Sequence, residues 1–522
     1  MKIVIHTIKM PIRHTQRDVL EAAQEIVRLR CVQAKDFWIY KQSIDARKKD
    51  NIHYVYSVGA TVPDGTYCDG KVICPLAADA GEPLPIPEVS LKERPVVVGM
   101  GPCGLFAAYV LAKSGNPPLV LERGEPVEKR AKTVEAFWKG GRLNPDSNIQ
   151  FGEGGAGTFS DGKLNTRISD PRQRYVLQTF VDHGGPEDIL YRAKPHIGTD
   201  KLRGVIASMR QEILRLGGEI RFESCLTGIR YRDGKLTEIE IDHVESLACS
   251  CLILAIGHSS RDTYTMLEGA GVPMEAKPFA VGVRAEHKQQ MIDTLQYGDA
   301  AGLLPSADYR LVYNGKERSC YSFCMCPGGQ VVNASSEEGR LVVNGMSCYQ
   351  RDGENANSAL VVNVKPSDFA GQDALAGMEY QRRYEALAYQ TGGGDGAAPV
   401  QLIRDFMEDR TSVELGDVMP SFTGQWRFAQ LKHCLPDFVT ASLKEGLTSF
   451  ERKMRGYASG DGVLTGVEMR TSAPVRILRG QDLQSIGVKG LYPAGEGAGY
   501  AGGIVSAAVD GIRCALAVLQ ER

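Results

Sequence analysis

Residues 96–122 constrain this chain more than any other stretch. Val96-Val97-Val98 runs into Gly99-Met100-Gly101-Pro102-Cys103-Gly104, and a helical pattern carrying the small residues Ala107, Ala108 and Ala112 follows. A second apolar run, Leu119-Val120-Leu121, then ends on Glu122. Strand, glycine turn, helix and strand in this register make a βαβ unit of the dinucleotide-binding kind. Gly99 permits the tight turn, Gly101 lets a pyrophosphate approach the backbone, and Gly104 lets the helix pack closely on the strand. The free N–H groups at the helix start face the anion, helped by about half a positive charge from the helix dipole. Glu122 stands where a carboxylate accepts from the adenosine ribose hydroxyls.

At 522 residues the chain has room for two or three domains. A formal net charge of −2 draws it neither to nucleic acid nor to an anionic membrane. Met1-Lys-Ile-Val-Ile-His lacks the cationic and long apolar regions of a secretory signal. No run reaches the roughly 18 apolar residues of a spanning helix. Thirteen cysteines, an odd number scattered over a long chain, do not form a disulfide framework. The expected setting is soluble, reducing and cytoplasmic.

The first ninety residues form a separate unit. Ile3–Ile8 reads as a strand, and Thr15-Gln-Arg-Asp18 has the form of a capping box with Asp in place of Glu. Leu20, Ala23 and Val27 share a helical face, and Phe37–Ser43 and His53–Val58 follow as strands. This is a small βαββ module ending near Pro83–Pro87, with no nucleotide landmark of its own, so it is expected to be separable from the nucleotide site. Its basic turn, Arg47-Lys48-Lys49, reads as a solvated hairpin tip.

Beyond Glu122, five glycines fall between 152 and 162, too many for a helix or a central strand. Phe151, Phe159 and Leu164 anchor the stretch, which points to an ordered loop packed on a flat ligand. Leu202–Leu216 is helical and ends at Gly217-Gly218. Glu219–Phe222, Leu226–Arg230 and Leu236–Ile241 read as a meander returning into Cys251–Ala255, which closes at Gly257. From about 270 to 455 short strands and Gly-rich turns suggest an inserted substrate domain. Gly490–Glu496 is then a strand with an acidic end, and Gly497–Ile504 leads into a last helix aimed at the pyrimidine end of a flavin.

Together these pieces resemble the FAD-binding oxidoreductases of the glutathione-reductase-like superfamily, and more narrowly the family of uncharacterised FAD-dependent dehydrogenases. The resemblance rests on Gly99–Gly104 with Glu122, Phe151–Leu164, Ala255–Asp262, Lys277–Arg284, Phe323–Gly329 and Leu491–Asp510. It implies an α/β fold: a Rossmann-type FAD-binding domain with a β-meander, an inserted α+β substrate domain and an N-terminal βαββ ferredoxin-like module. The expected boundaries are 1–88 for the accessory module, 89–270 and 456–522 for the FAD-binding domain, and 271–455 for the insert. The implied FAD contacts are Gly99, Gly101, Pro102, Cys103 and Gly104 at the first turn, and Glu122 and Arg123 after the second strand. Gly155, Gly157 and Gly257 follow, then Gly495, Glu496, Gly502, Gly503 and Ile504 at the C-terminal end. Glu496 stands where the superfamily usually has Asp.

No second GxGxxG follows residue 122, so NAD(P)H enters only as a transiently docked electron donor, alongside another redox protein or the substrate itself. The candidate catalytic residues are Lys163 after the glycine loop, His258 as a proton donor near neutral pH, and Cys324 as a redox thiol. Arg284 and Arg476 either bind an anionic substrate or tie the insert to the core. Cys324-x-Cys326 has no matching second half, so no zinc site is expected. The function these features point to is an FAD-dependent oxidoreductase acting on a small or medium organic substrate. A flavin-dependent RNA-modifying enzyme, against which stands the absence of a basic stripe, and a flavin-binding redox sensor remain as alternatives. Nothing in the sequence sets the oligomeric state.

Overall fold

The computed structural model describes residues 1–76, 84–166, 168–371, 373–458 and 460–521. Of the stretch Pro83–Pro87 expected to end the module, Pro83 lies outside them.

The N-terminal unit holds β1 (Lys2–Met10), α1 (Gln16–Leu29), β2 (Lys35–Asp45), β3 (His53–Thr61) and a short fourth strand, β4 (Ile73–Pro75). They form an antiparallel sheet in the order β2-β3-β1-β4. Thr15 and Asp18 close the capping box reciprocally at the start of α1. α1 buries Val19, Ala23 and Val27 on the sheet, against Ile3, Ile5 and Val58. No helix lies between β3 and β4 among the described residues, so the second helix of a ferredoxin-like module is replaced by the connection 62–72. The unit also touches the rest of the chain. Gln42 exchanges backbone hydrogen bonds with Tyr191 and Ala193, and Ile52 is buried in the core of the insert.

The centre of the molecule is a five-stranded parallel sheet. β5 (Val96–Val98) lies between β6 (Leu119–Leu121) and β11 (Leu252–Leu254), with β7 (Glu219–Arg221) and β23 (Leu491–Pro493) at the edges. The three inner strands are wholly apolar because both faces are covered, one by helices and the other by the antiparallel meander and a further helix. α2 (Pro102–Lys113), α4 (Arg172–Asp182), α5 (Gly198–Arg215) and α11 (Ile504–Gln520) build one layer, and α3 (Val127–Trp138) packs on α5. The meander is β8 (Leu226–Arg232), β9 (Lys235–Ile241) and β10 (Glu245–Ala248), followed across β11 by α6 (Arg261–Gly269). The stretch expected to open the meander is β7, drawn away into parallel pairing with Leu119–Leu121.

The insert contains β12 (Met274–Ala276), β13 (Phe279–Lys288), α7 (Gln289–Tyr297), β14 (Val312–Asn314), β15 (Ser319–Cys326), β16 (Gln330–Asn333), β17 (Val343–Met346) and β18 (Asn355–Val364). It continues with α8 (Ala376–Thr391), β19 (Ala398–Leu402), α9 (Ile403–Met407), β20 (Trp426–Phe428), α10 (Asp437–Lys453), β21 (Val463–Glu468) and β22 (Val475–Ile477). Its main sheet runs β14-β15-β18-β13-β21-β19-β20. β21 pairs with β13 and β19 inside this sheet, so the sheet extends past the expected boundary at 455.

Candidate functional site

The site lies at the carboxyl ends of the parallel strands. Gly99 follows β5 at φ +92°, and a Cβ there would come within 2.3 Å of the Ala255 carbonyl oxygen at the end of β11. A Cβ on Gly104 would stand 1.8 Å from the Gly99 oxygen, which is the close helix–strand approach its position calls for. Gly101 differs: among the described residues an added Cβ meets only the Gly155 Cα, at 3.6 Å. α2 begins without a side-chain cap, with Pro102 and Cys103 in its first turn.

The glycine loop folds against this turn. Gly154 N–H donates to the Met100 carbonyl (2.8 Å), Gly155 touches Gly101, and Gly157 abuts Pro102 and Ile504. Arg130 of α3, fully buried, gives the loop its shape. Its guanidinium donates to the carbonyls of Asn148 (2.9 Å), Ile149 (2.8 Å), Gly152 (3.2 Å), Glu153 (2.7 Å) and Gly155 (3.0 Å). Glu122 joins the same bracing: its carboxylate accepts from the N–H groups of Met100 (2.7 Å), Gly124 (2.9 Å) and Gly152 (3.0 Å). A carboxylate has about four acceptor positions, so one remains for a ribose hydroxyl. Arg123 is engaged with Asp262 and lies over the Phe151 ring at 4.5 Å.

The C-terminal segment closes the other side. Gly495, at φ +73°, packs on Cys103 and donates to Asp510 (2.7 Å), while Gly497 touches Gly257. Gly502 and Gly503 are exposed, and an added Cβ at Gly502 would meet nothing within 4 Å among the described residues. α11 starts there without a side-chain cap. Two uncapped helix starts and a glycine loop thus converge on one strand-end crevice, the place where open α/β sheets bind nucleotides. These residues fit an FAD: glycines where a β-carbon would intrude, backbone donors for phosphate, and carboxylates beside them.

The three catalytic candidates fall into two groups. Lys163 donates to the Met325 carbonyl and pairs with Asp161 at 3.2 Å, which puts its ammonium beside Cys324. Cys324 is exposed at a bulge of β15, where Arg284 donates to its carbonyl (3.0 Å). Burial of the thiol's surroundings outweighs Lys163 and Arg284 and pushes its pKa up to about 11. His258 stands apart, with Nδ1 3.7 Å from Glu496 Oε1 and Nε2 buried without a partner. No hydrogen bond or ion pair joins the two groups among the described residues. Burial, reinforced by Arg470 and Arg261, lowers the His258 pKa to about 3. The imidazole is therefore neutral at pH 7.

Arg284 is wholly buried on Glu468, Asn357 and Asn344, so it ties the insert together. Arg476 pairs with Glu275 at 3.3 Å. Sequence reasoning missed Arg130, although its spacing from Val127 and Val134 places it on the inward face of α3. It also missed the buried pairing of Arg261 and Arg470 with Glu385, which fastens α6 to α8.

Comparison with known proteins agrees with this cofactor. Residues 278–471 match the family described as FAD-dependent protein, C-terminal domain-like, and residues 2–61 match a domain of unknown function. The chain is 53% identical over 498 residues to an uncharacterized protein of Clostridium beijerinckii, covering 92% of each chain, and it belongs to the same family. Similar solved structures include the flavin-dependent brominase Bmp2 triple mutant, at 14% identity over 82% of this chain and 80% of that one, with a TM-score of 0.36. Glycine oxidase from Geobacillus kaustophilus is 10% identical over 82% and 95%, also with a TM-score of 0.36. Among the described residues no helix is long and apolar enough to cross a membrane.

Proposed function

We propose that this protein is a cytoplasmic FAD-dependent oxidoreductase of the glutathione-reductase-like superfamily, acting on a small or medium organic substrate. The observation that carries the reading is the convergence of Gly101, Gly155, Gly157 and Ile504, from three distant parts of the chain, at the carboxyl end of the parallel sheet. The family match over 278–471 supports the same cofactor. Bound FAD supplies the electron or hydride transfer. The protein would bind and orient it: the α2 start would face the pyrophosphate, Glu122 would offer its remaining acceptor position to the ribose, Glu496 would serve the ribityl chain, and the α11 start would face the pyrimidine edge. Reduced nicotinamide serves as a transiently docked donor.

The test is the visible spectrum of the purified protein, acid release of its chromophore, and anaerobic reduction by NADH, NADPH and metabolite pools. FAD is expected. Release of FMN, or no flavin after reconstitution, overturns the proposal.

A further inference from the structure

Glu496 is the acid of the site that holds no hydrogen bond. It follows β23, with its side chain 26% exposed, and no donor reaches its carboxylate among the described residues. Its surroundings offer little charge to hold the ionised form. His258, from beyond β11, is neutral; Tyr264 of α6 donates instead to the Gly497 carbonyl (2.6 Å). Arg261 and Arg470, behind His258, are committed to Glu385, and Arg476 to Glu275. On the α11 side Asp510 is paired with Arg479 at 2.7 Å. The half-buried Lys277 is the cation that acts on Glu496, and burial outweighs it, raising the carboxyl pKa to about 7.

We infer that Glu496 takes up one proton when FAD binds and holds the dinucleotide as the neutral acid. The inference rests on the FAD reading above. A dinucleotide brings a doubly negative pyrophosphate into the crevice and displaces water, and both effects favour the protonated carboxyl. The proton comes from solvent, bonds to a carboxylate oxygen, and returns when FAD leaves. The neutral acid has an O–H to donate to a phosphate or ribityl oxygen, which the carboxylate lacks. The sign follows: the pKa is higher in the complex than in the free site, so affinity is full below the free pKa and falls as pH rises through it.

The experiment is FAD titration of the deflavinated full chain by flavin fluorescence between about pH 5.5 and 9 at fixed ionic strength. Binding calorimetry in buffers of different ionisation enthalpy counts the protons. Wild type is expected to weaken by up to about tenfold per pH unit above about pH 7, with about one proton taken up. Glu496→Gln is expected to bind without this slope or uptake, at the affinity wild type shows at low pH. A flat wild-type profile with no uptake overturns the inference, and this result needs no variant. A slope that survives in Glu496→Gln also overturns it, assigning the titration to another buried acid such as Glu153. So does a folded Glu496→Gln that binds no FAD at any pH. Failure of wild type to bind FAD at all overturns the FAD reading itself.

Discussion

Arg130→Met removes the group that shapes the glycine loop while roughly keeping its volume. The guanidinium is fully buried and serves five loop carbonyls at 2.7–3.2 Å. Gly152, Glu153 and Gly155 keep the Gly155 N–H, the Thr158 hydroxyl and the Thr158 N–H, but the Asn148 and Ile149 carbonyls lose the donor the guanidinium gives them, at about 1–3 kcal/mol for each buried acceptor. The loop therefore rearranges until its carbonyls reach water, and the loss settles near the ~3–5 kcal/mol of breaking one partner from a buried charged network. If FAD packs on the ordered loop, that energy must be recovered on binding, which weakens FAD by roughly 100- to 1,000-fold at about 1.4 kcal/mol per decade. Fluorescence titration reads the affinity, and limited proteolysis reads whether cleavage appears within 148–163. Arg130→Lys should recover only part of the loss, because one ammonium with three donors cannot span five carbonyls. Wild-type affinity in Arg130→Met with new cleavage in the loop would show that the loop is no wall of the cofactor site. Wild-type affinity with no new cleavage would show that Arg130 does not shape the loop.

Three glycine substitutions separate packing from ligand contact. Gly104→Ala should fail to give soluble protein, because its Cβ meets the Gly99 oxygen at 1.8 Å. Gly502→Val, where an added Cβ meets nothing within 4 Å among the described residues, should keep the melting temperature of the flavin-free protein yet lose FAD, and Gly101→Val, whose Cβ stands at ordinary contact distance from the Gly155 Cα (3.6 Å), should lose FAD with a small drop in melting temperature; retained flavin in either would move the ligand elsewhere. The Cys324 thiol, raised to about 11, should react with iodoacetamide slowly at neutral pH and about tenfold faster per pH unit up to that value. A fast, flat profile in mass-spectrometric labelling would contradict the burial argument. A chain starting at residue 88 should melt lower or aggregate, because it uncovers the contacts of Ile52 and Gln42; unchanged melting would mean the module docks without stabilising the rest.

The parallel sheet was legible because its constraints are local. A strand buried on both faces must be apolar throughout, and the turn after Val98 admits only glycine where a Cβ would strike Ala255. The capping box of Thr15 and Asp18 is equally short-range. The end of the insert was not legible, since Val463–Glu468 finds its sheet neighbours in β13 and β19, and no nearby residue announces that pairing. Arg130 was hidden for a related reason: a charge in a helix reads as solvated unless its inward spacing is weighed against the carbonyls that a distant loop brings to it. The polar chemistry of the site is the extreme case. A histidine at a strand end is expected to titrate near neutrality and a buried flavin-site acid to stay ionised, but each pKa belongs to what folds around the group. Burial holds His258 neutral, reinforced by Arg470 and Arg261, which are far apart in the chain and meet behind it. Glu496 beside it is left with Lys277 alone against burial. The two groups exchange the roles their residue types suggest, and the carboxyl is the one that carries a movable proton at neutral pH.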